Sequence, residues 1–109
     1  MTPLLVALGA AMGATLRFWV GHHLDERWPA GTLLVNVAGS FVLGLVVGAS
    51  PSESAVALVG TGLCGGLTTY SAFAVQTRDL GPAAGAAYAV VTVGLALAAS
   101  ALGFVLGQA

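Results

Sequence analysis

The run Gly65-Gly66-Leu67-Thr68-Thr69-Tyr70-Ser71-Ala72-Phe73 lies in the middle of an apolar segment covering about residues 55–76. It gathers two glycines, three hydroxyl residues and two aromatics where an ordinary membrane helix has no reason to collect them. Irregular backbone at membrane depth is tolerated only where protein buries it or a polar cavity adjoins it. Small transporters and channels build binding sites on such interruptions. The run therefore predicts a third span broken near its middle, at a permeation or binding site.

On either side of it the chain is almost entirely apolar. Of 109 residues, 58% are hydrophobic and 6% charged. Soluble domains carry roughly 25% charged residues, so this surface is suited to lipid rather than water. Four apolar segments, at about 3–21, 31–49, 55–76 and 82–106, each match a hydrocarbon core of roughly 30 Å. The fold class is an all-α membrane protein with four transmembrane helices in one domain, 1–109. The first stretch reads as a span rather than a cleaved leader, because no Lys/Arg n-region precedes it. Trp19 and Trp28 flank the first separator, at headgroup level. Four spans with short loops put any activity inside the membrane, and one chain has few helices with which to enclose a pore. An oligomer follows, with a dimer the simplest.

Arg27 and Arg78 fall in loops on one side of the membrane, and Arg17 adds to that side, while the loop holding Glu53 has neither Lys nor Arg. This weak bias favours termini outside. A chain so poorly locked can insert both ways and form an antiparallel dimer. Gly9 and Gly13, and Ser40, Gly44 and Gly48, recur every four residues, a spacing that serves packing within a chain or between chains.

Thr32, Asn36 and Ser40 share one face of the second span, a stripe of hydrogen-bonding groups suited to a polar path or to interhelical bonds. Tyr88, Thr92 and Ser100 repeat the pattern in the fourth, with Ala96 interrupting it. A break at Gly65-Gly66 and Thr68-Thr69 frees carbonyls for a hard cation such as Na⁺ or amides for an anion. Tyr70 and Phe73 fall near one face, where their positive ring edges can meet an anion or simply fill space. Arg17 either snorkels to the interface or gives an anion vestibule a fixed charge.

Several functions are excluded by what is missing. A net charge of −1 leaves no basic patch for nucleic acid. No carboxylate lies within a predicted span, which counts against a small proton-coupled multidrug exporter. No nucleophile and base come within reach of a membrane site, so an enzyme is not expected. The lone Cys64 reads as a packing residue, and a metal site at His22-His23 has little to support it.

Three segments together resemble the small fluoride channel family called Fluc or CrcB. They are Gly9-Ala10-Ala11-Met12-Gly13-Ala14-Thr15-Leu16-Arg17-Phe18, Gly31-Thr32-Leu33-Leu34-Val35-Asn36-Val37-Ala38-Gly39-Ser40-Phe41 and Gly62-Leu63-Cys64-Gly65-Gly66-Leu67-Thr68-Thr69-Tyr70-Ser71-Ala72-Phe73. The resemblance covers essentially the whole chain in length, span count and motif order.

It implies an antiparallel, dual-topology dimer in the plasma (inner) membrane, with two narrow fluoride pores, exporting fluoride passively. A structural Na⁺ at the dimer interface is implied too, held by the Gly65 and Thr68 carbonyls of both subunits. Asn36 matches the family's pore asparagine, with Thr32 one turn away. Tyr70 and Phe73 match a pair of pore phenylalanines with Ser71 between them. Tyr88 and Thr92 match the polar track, and Arg17 an arginine near the entrance. Tyr70 stands where the family usually has phenylalanine, and Ala96 where a second hydroxyl is often found. Some members work as paired, non-identical subunits. The partner is thus a second copy or a close paralogue, and a non-conducting partner subunit is an alternative role.

Overall fold

The computed structural model describes residues 2–26 and 28–109. Helix α1 is Thr2–Leu24 and α2 is Ala30–Ala49. Helix α3 covers residues 53–67, with α-helical ends Glu53–Ala55 and Gly65–Leu67 around a π-helical middle, Val56–Cys64. Helix α4 is Tyr70–Asp79 and α5 is Pro82–Gln108. Together α3 and α4 make the third span, Glu53–Asp79, so four helical stretches are long and apolar enough to cross a membrane. The protein is a multi-pass membrane protein with its third span bent by 20° at residues 68–69. Arg27, counted above for orientation, lies outside the described residues.

Local chemistry sets the boundaries. Ser50 closes α2 in a left-handed conformation, φ 48°, its amide donating to the Val46 carbonyl at 3.0 Å. The Ser52 hydroxyl opens α3 by accepting from the Ala55 amide at 3.2 Å, an N-cap. Gly81 turns at φ 88°, and Pro82 then starts α5, where a missing N–H costs nothing.

Small residues decide the packing. A Cβ on Gly9 would overlap the Leu58 carbonyl, and one on Gly13 the Leu63 carbonyl, so the first glycine pair brings α1 against α3. Gly44 and Gly48 lie equally tight against the Ser100 and Phe104 carbonyls of α5. Gly103 and Gly107 return the arrangement against Phe41 and Leu45. Both motifs therefore serve contacts within the chain, by the close backbone approach that membrane helices favour. The buried apolar centre is small, built around Val20, Val35 and Leu67. Only 11% of the α5 window is buried, and Val90, Leu97 and Val105 are exposed. Lipid or another subunit has to cover that apolar surface.

Candidate functional site

The break differs in one respect from the sequence expectation. Gly65 keeps ordinary helical angles, φ −62° and ψ −40°, and the glycine pair continues the helix. The chain leaves helical geometry at Thr68 (φ −81°, ψ 154°) and Thr69 (φ −147°, ψ 126°). Glycine lowers helix propensity but does not forbid a helix that is packed on a neighbour. Thr68 still donates to the Cys64 carbonyl, while extended Thr69 is held by another side chain.

Asn36 is the principal holder. Its Oδ1 accepts from the Thr69 amide at 2.8 Å, and its Nδ2 donates to the Thr69 carbonyl at 3.2 Å. A single carboxamide thus satisfies both backbone groups of the extended residue, as a neighbouring strand would. Arg17 reaches the same region from α1, its Nε donating to the Gly66 carbonyl at 3.0 Å. A cation there also complements the C-terminal dipole of α3. Thr69 then caps α4, its hydroxyl accepting from the Ala72 amide at 3.2 Å and lying 3.3 Å from the Ser71 hydroxyl.

The consequence is a set of backbone groups without helical partners. In a continuous helix the Gly65 carbonyl would accept from the Thr69 amide, but that amide is taken by Asn36. The Tyr70 and Ser71 amides, in the first turn of α4, precede any intrahelical acceptor. Carbonyls and amides without helical partners thus emerge within a few residues of each other at one break.

A groove of about 960 Å³ opens beside it, lined among others by Asn36, Gly65, Thr68, Tyr70, Phe73 and Thr92. It brings together six of the ten candidate residues. A Cβ on Gly65 would meet nothing within 4 Å, and Tyr70 is 80% exposed. Phe73 sits between two rings, 6.3 Å from Tyr70 and 5.4 Å from Tyr88 between centroids. Thr92 Oγ1 is buried and has no hydrogen-bond partner among the described residues. Ser40, by contrast, bonds back to the Asn36 carbonyl at 2.7 Å and satisfies itself.

The remaining candidates are placed differently. Ser71 is exposed at the start of α4, and Arg17 engages the α1 side of the break. Thr32 and Tyr88 are buried one layer from the groove, in a chain of hydrogen bonds that includes two residues not singled out in the sequence. Asp25 accepts from the Thr32 amide at 2.9 Å and from its hydroxyl at 2.8 Å. Gln76 Nε2 donates to Thr32 Oγ1 at 3.0 Å, and the Tyr88 hydroxyl donates to Gln76 Oε1 at 3.0 Å. Gln76 had one available signal: it lies three residues after Phe73, which follows Tyr70 by three, on one helical face. Asp25 had none, since it falls in a connection between spans.

Four spans, with the third broken and a groove opening beside the break, define a small multi-pass membrane protein. Residues 4–106 match the family model described as CrcB-like protein, Camphor Resistance (CrcB), and the chain belongs to that family. A Rhodococcus jostii protein named Fluoride-specific ion channel FluC 2 is 52% identical, over 95% of this chain and 96% of its own length. A Frankia casuarinae protein, Fluoride-specific ion channel FluC 1, is 41% identical over 100% and 98%. A Synechococcus protein, Fluoride-specific ion channel FluC 2, is 45% identical over 95% and 78%.

Proposed function

We propose that this chain is a fluoride-selective channel, not an enzyme, and that it lets fluoride leave the cytoplasm passively across the plasma membrane. The observation that carries the reading is the near full-length similarity to proteins named fluoride-specific channels, at up to 52% identity. The same relatives leave the multidrug-exporter and non-conducting-subunit readings without support.

The groove is chemically suited to the task. Fluoride is small and strongly hydrated, so its path must offer close donors without a charge that traps it. Asn36 retains a second Nδ2 hydrogen beyond the one given to Thr69. The Tyr70 and Ser71 amides stand at a helix N-terminus, which favours an anion. Phe73 and Tyr70 supply ring edges, and Thr92 a hydroxyl without a partner. Thr32 and Tyr88 form the polar row beyond them. Arg17, anchored on Gly66, adds positive potential at the α1 side of the break. Sites of this kind hold an ion firmly enough to admit it and loosely enough to release it.

The groove is open on one face, and an antiparallel second copy, or a close paralogue, is the occupant that would close it. Na⁺ fits the break: the Gly65 carbonyl has lost its helical donor, and the surface around Gly65 is clear. Gly65 and Thr68 carbonyls from two copies would hold it, oxygen ligands for a hard cation. Bound there, the ion would neutralise converging carbonyl dipoles and fasten the two copies together.

Growth tests the function in cells. A strain lacking its own fluoride exporter should survive millimolar fluoride when it expresses this chain, and Asn36→Ala should abolish that survival. Equal fluoride sensitivity with and without well-expressed protein would count against the channel.

A further inference from the structure

The hydrogen bonds joining Asp25, Thr32, Gln76 and Tyr88 have a direction, and Asp25 sets it. Hydroxyls donate or accept, and a carboxamide can turn over to exchange its ends. An ionised carboxylate only accepts. Asp25 takes both the amide and the hydroxyl hydrogen of Thr32, at 2.9 and 2.8 Å. Gln76 Nε2 is 3.0 Å from Thr32 Oγ1 and 3.4 Å from Asp25 Oδ2, so its amino end must face them. Its carbonyl end then faces Tyr88, which gives its only hydrogen to Gln76 Oε1 at 3.0 Å. One carboxylate between α1 and α2 thereby fixes what a buried phenol on α5 can offer to its surroundings.

Resting on the channel reading, we propose that Asp25 is a positioning residue for fluoride release. It keeps the Tyr88 hydrogen committed to Gln76, so that fluoride moving from the groove past Phe73 meets a phenol with no free donor and leaves quickly. Asparagine at 25 would put an amino group where Oδ2 now accepts. Thr32 would then have to accept from Asn and donate to Gln76. Gln76 would turn its amino end to the Tyr88 oxygen, and the Tyr88 hydrogen would lose its acceptor and be free for an ion. A new donor to fluoride tightens binding and slows escape.

Efflux from liposomes, measured over a range of internal fluoride concentrations, tests this. Asp25→Asn should lower the half-saturating fluoride concentration about tenfold, the effect of one hydrogen bond to an ion, while maximal flux falls. Adding Tyr88→Phe to Asp25→Asn should return half-saturation to the wild-type value, since the gain needs the phenol hydrogen. A merely structural Asp25 would reduce the number of active channels and leave half-saturation unmoved, which would overturn the assignment. A shift that persists without the Tyr88 hydroxyl would overturn it as well. Should Asp25→Asn fail to fold, Gln76→Leu frees the same hydrogen and should lower half-saturation alike; no change there overturns the proposal. A folded wild-type protein that passes no fluoride overturns the channel reading instead, and is told apart by that control.

Discussion

Gly65 and Gly66 are neighbours in sequence with opposite surroundings. A Cβ on Gly66 would overlap the Ala10 carbonyl, whereas one on Gly65 would meet nothing within 4 Å. The first belongs to the closed seam between α1 and α3, the second to the open groove. On the seam, glycine lets two backbones touch, and Arg17 donates to the Gly66 carbonyl. On the groove side the backbone partners have been taken away, by Asn36 bonding to Thr69. One span thus carries a packed face and an open face, and the difference lies in what meets each residue rather than in residue type.

Substituting the seam should have the largest effect. Gly66→Val forces α1 and α3 apart and should cost about 1–3 kcal/mol of stability at the least, as core overpacking does. Thermal unfolding in detergent and the yield of monodisperse protein would register it. A Gly66→Val protein as stable as the wild type would break the contrast between the two faces.

Next is Asn36→Ala, which leaves the Thr69 amide and carbonyl unpaired, at about 1–3 kcal/mol for each buried group. Fluoride efflux per folded protein should drop about tenfold or more, as expected where a single hydrogen bond to an ion is lost. Wild-type rates from folded Asn36→Ala would remove the clasp from the mechanism.

Gly65→Ala sharpens the comparison from the other side. Alone, the chain should be unharmed or gain up to about 1 kcal/mol from better helix propensity. Any damage should appear in assembly, as a lower dimer fraction at equal protein density. A dimer of undiminished strength would place the interface elsewhere. Tyr70→Phe should do least: at a position 80% exposed, a change within about 0.5 kcal/mol keeps efflux within about twofold of wild type, read from initial rates.

Much of the architecture was legible because hydropathy and punctuation are local. The predicted spans 31–49 and 82–106 fall within Ala30–Ala49 and Pro82–Gln108. The bend was also legible as a cluster of residues without purpose in a plain span. Its place within that cluster was not, since glycine weakness is intrinsic while extended Thr69 is held by Asn36, 33 residues earlier. The Arg17 bond to Gly66 and the approach of Gln76 to Asp25 cross 49 and 51 residues. Nothing in local pattern announces such pairs. Only the folded bundle brings them together.

Fluoride conduction itself is tested most directly by purified wild-type protein in liposomes loaded with equal fluoride and chloride, each followed by its own electrode. Rapid loss of fluoride with chloride retained is the result predicted. Fluoride retained by folded protein, or chloride leaving alongside it at the same rate, would contradict the account.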